Sequence, residues 1–334
     1  MSRAVLFLML FLAPLLSTAE EGVVQSFMDV PPGREEFTAV EDLQRRGILE
    51  GRPDGSFGPD SPVNRAEAVT IVVRAVANVR NLPHFSKCFP DVRSDDWFVG
   101  TVCYAADLDW ISGYPDGTFQ PARTVAKGEF LKILLNAYGV DLVPLEKFRS
   151  EPLASDAYDP AQWYFPYLSY AVGSSMTFAD ILGNLNPGGT LTRGQVALLL
   201  HRFLLYREGE RNQILLTEGE RDIRLAFEKL DAGEVGKARA AVTRVRLRAW
   251  GALQRLPEEV VVRATVKLGE SLFSLTQAHV LTQKSDFPGG LKATQEAYRL
   301  ADDVNALTEK LQIYTDKIRL SAHDLAESIR AHGG

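Results

Sequence analysis

The segment GRPDGSFGPDSPVNRAE, from Gly51 to Glu67, returns as GYPDGTFQPARTVAKGE, from Gly113 to Glu129, at an offset of 62 residues and without an insertion. Upstream, FMDV at Phe27 to Val30 and FPDV at Phe89 to Val92 keep the same offset of 62. A fixed period of this length marks a structural unit that completes its core only against its neighbours. A third, degenerate copy follows. Asp156 stands for the Asp of FPDV, and both Trp163-Tyr164 and the segment NPGGTLTRGQ track the second copy at an offset of 66. Its loop, SSMTFADILGNLNPGG, lacks Pro-Asp-Gly. The copies occupy residues 27–80, 89–140 and 153–206.

Each copy reads as helix, turn loop, helix. Val102, Ala105, Ala106 and Trp110 lie at helical spacing in the second copy, and Val40, Leu43 and Ile48 do so in the first. These helices follow an aromatic, Phe37 in one copy and Trp97-Phe98 in the other. They are expected to end at Gly47 and at Ser112-Gly113. Pro-Asp-Gly then supplies a turn: Pro presets φ, Asp54 or Asp116 bonds the backbone two residues on, and Gly accepts positive φ. A lone turn Asp without further oxygen ligands is a weak calcium signal. Phe57 and Phe119 plug the loop onto the core. Ala68, Ile71, Val72 and Ala75 share one face of the second helix, as do Phe130, Ile133, Leu134 and Ala137 in the next copy. Asp29, Asp91 and Asp156 are expected to cap the first helix of each copy.

The remaining chain, 208–334, is helical in pattern and carries 19 acidic and 19 basic residues. The net charge of −6 therefore belongs to the first 207 residues, which argues against a nucleic-acid partner. Helices are expected around Ile223 to Leu230, from Val235 to Leu253 and from Pro257 to about Thr282. A last helix of about ten turns runs through Ala297, Ala301, Val304, Leu307, Leu311, Tyr314, Ile318, Ala322, Leu325 and Ile329. Its stripe suits either burial within a helical bundle or self-association as a coiled-coil seam. Arg239, Arg244, Arg246 and Arg248 read as a solvated face. The fold class is all-α.

The first 19 residues have a basic start at Arg3, an apolar run from Ala4 to Leu16 and small residues at Ser17 and Ala19. This predicts a secretory signal cleaved after Ala19, leaving no membrane span. Cys88 and Cys103, the two cysteines, are either a disulfide or two buried thiols. No metal or cofactor is expected, since no His or further Cys stands at ligand spacing.

Arg65, Lys127 and Arg193 each open a helix six residues after a proline. A cation there opposes the helix dipole, whereas Glu67 and Glu129 two residues on suit it. The base and exposed first-turn N–H groups together form a site for an anion; the alternative is a solvated or internally paired base. Asn64 and Thr192 are good caps for the following helix, and Ala126 is a poor one. Trp97 and Trp163 suit either core packing or stacking on a sugar ring, and Gly51 and Gly113 permit close approach.

FPDV, the aromatic start, GYPDGTFQP and a closing TRAE-like tetrad together resemble the S-layer homology repeat over residues 27–205. The resemblance implies a pseudo-threefold, three-pronged unit with a central helix bundle and grooves between prongs. It further implies non-covalent attachment to a cell-wall polysaccharide or peptidoglycan-linked polymer, often bearing acidic pyruvate ketals, at the bacterial cell surface. The ligand-contacting base would be Arg65, Lys127 or Arg193, with unequal grooves because the tetrads differ. Two other functions compete: an enzyme tethered by the repeats, and a scaffold without polymer affinity whose helical part binds proteins. The helical part offers no nucleophile signature or metal spacing for the former.

Overall fold

The computed structural model describes residues 25–77, 81–85, 87–159 and 161–332; the expected signal segment lies outside them. The described residues form α-helices joined by loops, with isolated β-bridges as their only extended pairing. The three repeats supply α1 (Phe37–Arg45), α2 (Arg65–Val76), α3 (Val99–Asp107), α4 (Lys127–Ala137), α5 (Phe165–Gly173) and α6 (Arg193–Glu208). Helices pair across repeats rather than within them: α2 packs on α3, α4 on α5, and α6 returns to α1. That closed circuit is the pseudo-threefold arrangement.

The core follows the sequence periodicity. Ala68, Ile71 and Val72 on α2 and Phe130, Ile133 and Leu134 on α4 are buried, and Phe57 and Phe119 are fully so. Two local expectations change. The helix of the second copy ends at Asp107, before Ser112-Gly113, because Asp109 takes the left-handed conformation that Gly47 takes in the first. Their φ values are 57° and 70°, and Ser175 of the third copy matches them at 54°. A non-glycine residue there costs about 1–2 kcal/mol. The third loop also keeps its turn without Pro-Asp-Gly. Gly183 sits at φ 82°, like Gly55 and Gly117, and Asp180 Oδ1 accepts from the N–H of Leu182 (2.8 Å) and of Asn184 (2.9 Å).

Beyond the repeats, α7 (Asn212–Asp231), α8 (Val235–Arg255), α9 (Val260–Gln283), α10 (Phe287–Leu307) and α11 (Gln312–His332) stack in sequence order. The single long last helix does not form. Thr308 is extended, at φ −163° and ψ 142°, and its hydroxyl accepts from the Lys310 N–H, so α11 folds back on α10. β-branched Thr competes locally with the helical backbone in this way. The stripe is thus used internally: Ala297, Ala301, Val304, Ile318 and Ala322 share one buried cluster with α7, α8 and α9.

The arginine-rich face of α8 is not solvated. Arg244 and Arg248 are buried and bracket the carboxylate of Asp222, while Arg246 pairs with Glu151 and Glu270. Arg244 also donates to the carbonyl of Leu153 (3.1 Å), which ties the helical part to the third repeat.

Cys88 and Cys103 form a disulfide that links the start of the second repeat to α3 across 15 residues. Loop-closure entropy assigns a crosslink of that length about 3 kcal/mol. The Cys88→Ala/Cys103→Ala variant is expected to unfold at a clearly lower temperature in a thermal melt. An identical midpoint, insensitive to reductant in the parent protein, would remove that role.

Candidate functional site

Where the three repeats meet, three backbone bonds close a triangle. Val63 N–H donates to Leu191 (2.9 Å), Leu191 to Val125 (3.1 Å) and Val125 to Val63 (3.0 Å). The three positions are related by the sequence offsets, and all three side chains are buried. One step on, the second helices begin. Their first N–H groups, from Arg65, Lys127 and Arg193, donate to Arg123 (2.8 Å), Gly189 (2.9 Å) and Ser61 (2.9 Å) of the next repeat. The second N–H groups, from Ala66, Gly128 and Gly194, reach Pro121 (3.1 Å), Pro187 (2.8 Å) and Pro59 (2.9 Å). The first-turn donors are therefore consumed between repeats and are not open to an anion, contrary to expectation. The third donors of α2 and α6 bond the caps Asn64 and Thr192, whereas Ala126 supplies no side-chain cap.

The bases run the same circuit. Arg65 Nε donates to Phe119 O (3.1 Å) and its Nη2 to Ser112 O (2.9 Å). Arg193 repeats this with Phe57 O (2.9 Å) and Glu50 O (3.0 Å). Lys127 Nζ reaches Leu185 O (2.6 Å). Each Arg also lies over the loop Phe, Arg65 at 5.0 Å from Phe119 and Arg193 at 4.7 Å from Phe57. Burial lowers the pKa of all three bases, and carboxylates act on them only from a distance. A cation held by carbonyls without a carboxylate partner keeps its appetite for an anion.

Asp29, Asp91 and Asp156 do not cap helices; α1, α3 and α5 have no side-chain cap bond. Each carboxylate instead accepts two loop N–H groups: Phe57 and Gly58 (2.9 and 2.7 Å), Phe119 and Gln120 (both 2.8 Å), Leu185 and Asn186 (2.8 and 2.6 Å). They pin the carbonyls that the bases contact. Asp54 and Asp116 make the expected turn bonds to Ser56 and Thr118. Glu67 and Glu129 reach back to the N–H of Asn64 and Ala126.

Beside each base opens a groove that draws on all three repeats. The Arg193 groove, about 480 Å³, is lined by Gly51, Glu67, Arg74 and Trp97. The Arg65 groove, about 250 Å³, has Gly113, Glu129, Lys132 and Trp163. The Lys127 groove, about 260 Å³, has Phe178, Leu198, Arg202 and Glu35. Trp97 and Trp163 are 66% and 50% exposed, so core packing does not account for them. Gly51 and Gly113 are set by the aromatic behind them: an added Cβ would fall 2.4 Å from the Phe27 ring and 3.0 Å from that of Phe89.

The periodicity did not single out Arg74, Lys132, Arg202 or Glu35. The last was hidden by matching Phe37 to the aromatic start; α1 and α3 begin at Phe37 and Val99, so Glu35 is the true counterpart of Trp97. Among the described residues no group of three His, Cys, Asp or Glu side chains could hold a metal, and no helix is long and apolar enough to cross a membrane.

A ring of helix–loop–helix repeats with cationic, Trp-walled grooves is the class that this geometry defines. The family model of the S-layer homology domain matches residues 26–69 and 89–131, so the chain carries S-layer homology repeats there. It is similar to the middle cell wall protein of Brevibacillus brevis, 32% identical over 136 residues, covering 40% of this chain and 13% of that protein. The surface layer protein of Brevibacillus choshinensis is 32% identical over 131 residues, covering 39% and 11%. A cellulosome-anchoring protein of Acetivibrio thermocellus is 31% identical over 88 residues, covering 26% and 20%. The similarity thus spans a small share of each relative's length.

Burial works against the Asp29 carboxylate, yet the Phe57 and Gly58 N–H groups hold its pKa below the ordinary 3.8. A lowered folded pKa means the clamp stabilises above the unfolded value and is lost as pH falls through the folded one. Asp29→Asn is expected to cost about 1.5–3 kcal/mol near neutral pH, from lost charge-assisted bonds. Its penalty should shrink as pH falls below about 4, where the carboxylate of the unfolded chain protonates first and the clamped one follows at lower pH. Denaturant titrations at pH 7 and pH 3 check this; an equal penalty at both would contradict the clamp.

Proposed function

We propose that the repeats attach the chain to an acidic cell-wall polysaccharide at the bacterial cell surface, with Arg65 and Arg193 meeting sugar-borne carboxylates. Trp97 and Trp163 then stack on sugar rings, and the helical part is carried at the surface as a non-catalytic domain. One observation supports this above the others. Twice in the ring, an Arg that hydrogen-bonds only to carbonyls, Arg65 buried and Arg193 half-buried, opens beside an exposed Trp on a neighbouring repeat. The names of the similar proteins, which include an anchoring protein, fit the same reading. The domains are assigned as 27–80, 89–140, 153–206 and 208–334. Lys127 is the weakest of the three bases, since it makes one carbonyl bond and Leu185 puts no ring beneath it. Self-association through the last helices forms no part of the proposal, because their stripe is buried within the chain.

The natural Lys127 shows that a lysine can bridge to the next loop, so Arg65→Lys and Arg193→Lys are expected to fold. Each exchanges a bidentate fork for a point charge. Losing one charge-assisted bond, about 1.5–3 kcal/mol, weakens binding by roughly tenfold or more. Co-sedimentation with purified cell wall, before and after removal of its polysaccharide, measures this. Undiminished binding by the double variant would rule out the mechanism.

A further inference from the structure

The three grooves differ most at one wall. At the place where Trp97 and Trp163 stand, the first repeat supplies Glu35 to the Lys127 groove. We infer that Glu35 excludes acidic sugars from that groove, so that the unit grips its polymer through two grooves and not three. The inference rests on the groove reading above.

Two effects act together at this wall. A Trp face offers stacking area to a sugar ring, and a carboxylate offers none. The carboxylate also repels a like charge on the incoming sugar. Arg202 partly answers Glu35 by an ion pair at 2.5 Å, and that pairing withdraws the groove's second cation from any ligand. Arg202 is held from two further sides: Nη1 bonds Met176 O (3.2 Å), and the guanidinium lies 4.9 Å from the centre of the Phe178 ring. Along the helix wall, Glu67 and Glu129 become Gln195, and Thr70 and Lys132 become Leu198. Acids line the other two grooves as well, but Glu50 sits on the loop side, paired with Arg74 at 2.8 Å, Glu67 and Glu129 are turned back onto the N–H groups of Asn64 and Ala126, and both Trp walls are intact. Glu35 itself is 69% exposed, so its identity is free of packing demands. It is a specificity-determining residue.

Equilibrium dialysis of the full chain against a methyl hexopyranoside bearing a 4,6-pyruvate ketal counts the occupied grooves. The parent is expected to hold two probe molecules per chain, and Glu35→Trp three, with an unchanged melting temperature. The reciprocal Trp97→Glu, also at an exposed position, should hold one. Three molecules on the parent, or two on a folded Glu35→Trp, would overturn the role of Glu35 while leaving groove binding standing. No probe bound to the parent would instead remove the groove reading itself, and this inference with it.

Discussion

The ring of cations on carbonyls is the contact on which the rest of the repeat unit depends. Each repeat sends a base, and the first two N–H groups of its second helix, into the loop of the next repeat. The loop can receive them only because an Asp at the start of its own repeat holds it from the other side. A cation at a helix N-terminus costs energy against the dipole. Here the one or two carbonyl oxygens facing it answer that cost, and the helix donors it would repel are bonded elsewhere. The same arrangement leaves a positive charge, drawn down by burial but unpaired with a carboxylate, at the floor of a groove. On the proposed function, stability and ligand affinity therefore rest on one side chain.

Closure of the ring also explains which substitutions among the copies are tolerated. Phe27 and Phe89 press so close to Gly51 and Gly113 that a Cβ would not fit. The third copy has Ala154 and Ala179 at the corresponding places, so that the lost ring makes room for the gained methyl. Gly183 keeps the positive φ of Gly55 and Gly117 although Ile181-Leu182 replaces Pro-Asp before it, since the turn needs the conformation and not the Pro-Asp pair. The backbone circuit is common to all three repeats, whereas the groove walls vary. Variation falls on the residues that a ligand would touch.

The sequence period placed all three bases at the first residue of a helix, and capping chemistry separated Asn64 and Thr192 from Ala126 correctly. These are local features, decided within a turn of helix. What escaped was non-local. The acceptors of Arg65 and Arg193 lie 54 and 136 residues away, so nothing near the bases showed that their helix donors were taken. The aspartates looked like caps because a cap is the nearest use for a carboxylate before a helix, while their real partners lie 28 to 30 residues on. The break at Thr308 was masked by a stripe that stays in phase across it, and the α8 arginines were buried by a partner surface that periodicity cannot see.

That partner surface gives the third repeat's departures a physical reason. α8 crosses α5 where Gly173 and Gly251 meet, and a Cβ on Gly251 would lie 1.9 Å from the carbonyl oxygen of Gly173. The positions matching Gly173 in the other copies are Asp107 and Arg45, neither of which allows such a crossing. Around it, Arg211 donates to Ser175 O (2.9 Å), Tyr206 to Gly251 O (3.1 Å) and Arg244 to Leu153 O (3.1 Å). Arg248 completes the joint, its guanidinium 5.8 Å from the centre of Phe178 and paired with buried Asp222. Breaking such a buried pair costs about 3–5 kcal/mol, so the joint constrains the sequence strongly. Phe178 is at once part of this joint and part of the Lys127 groove wall. The third repeat thus serves two neighbours, its ring partners and the helical part, and Phe178 stands where the two demands meet.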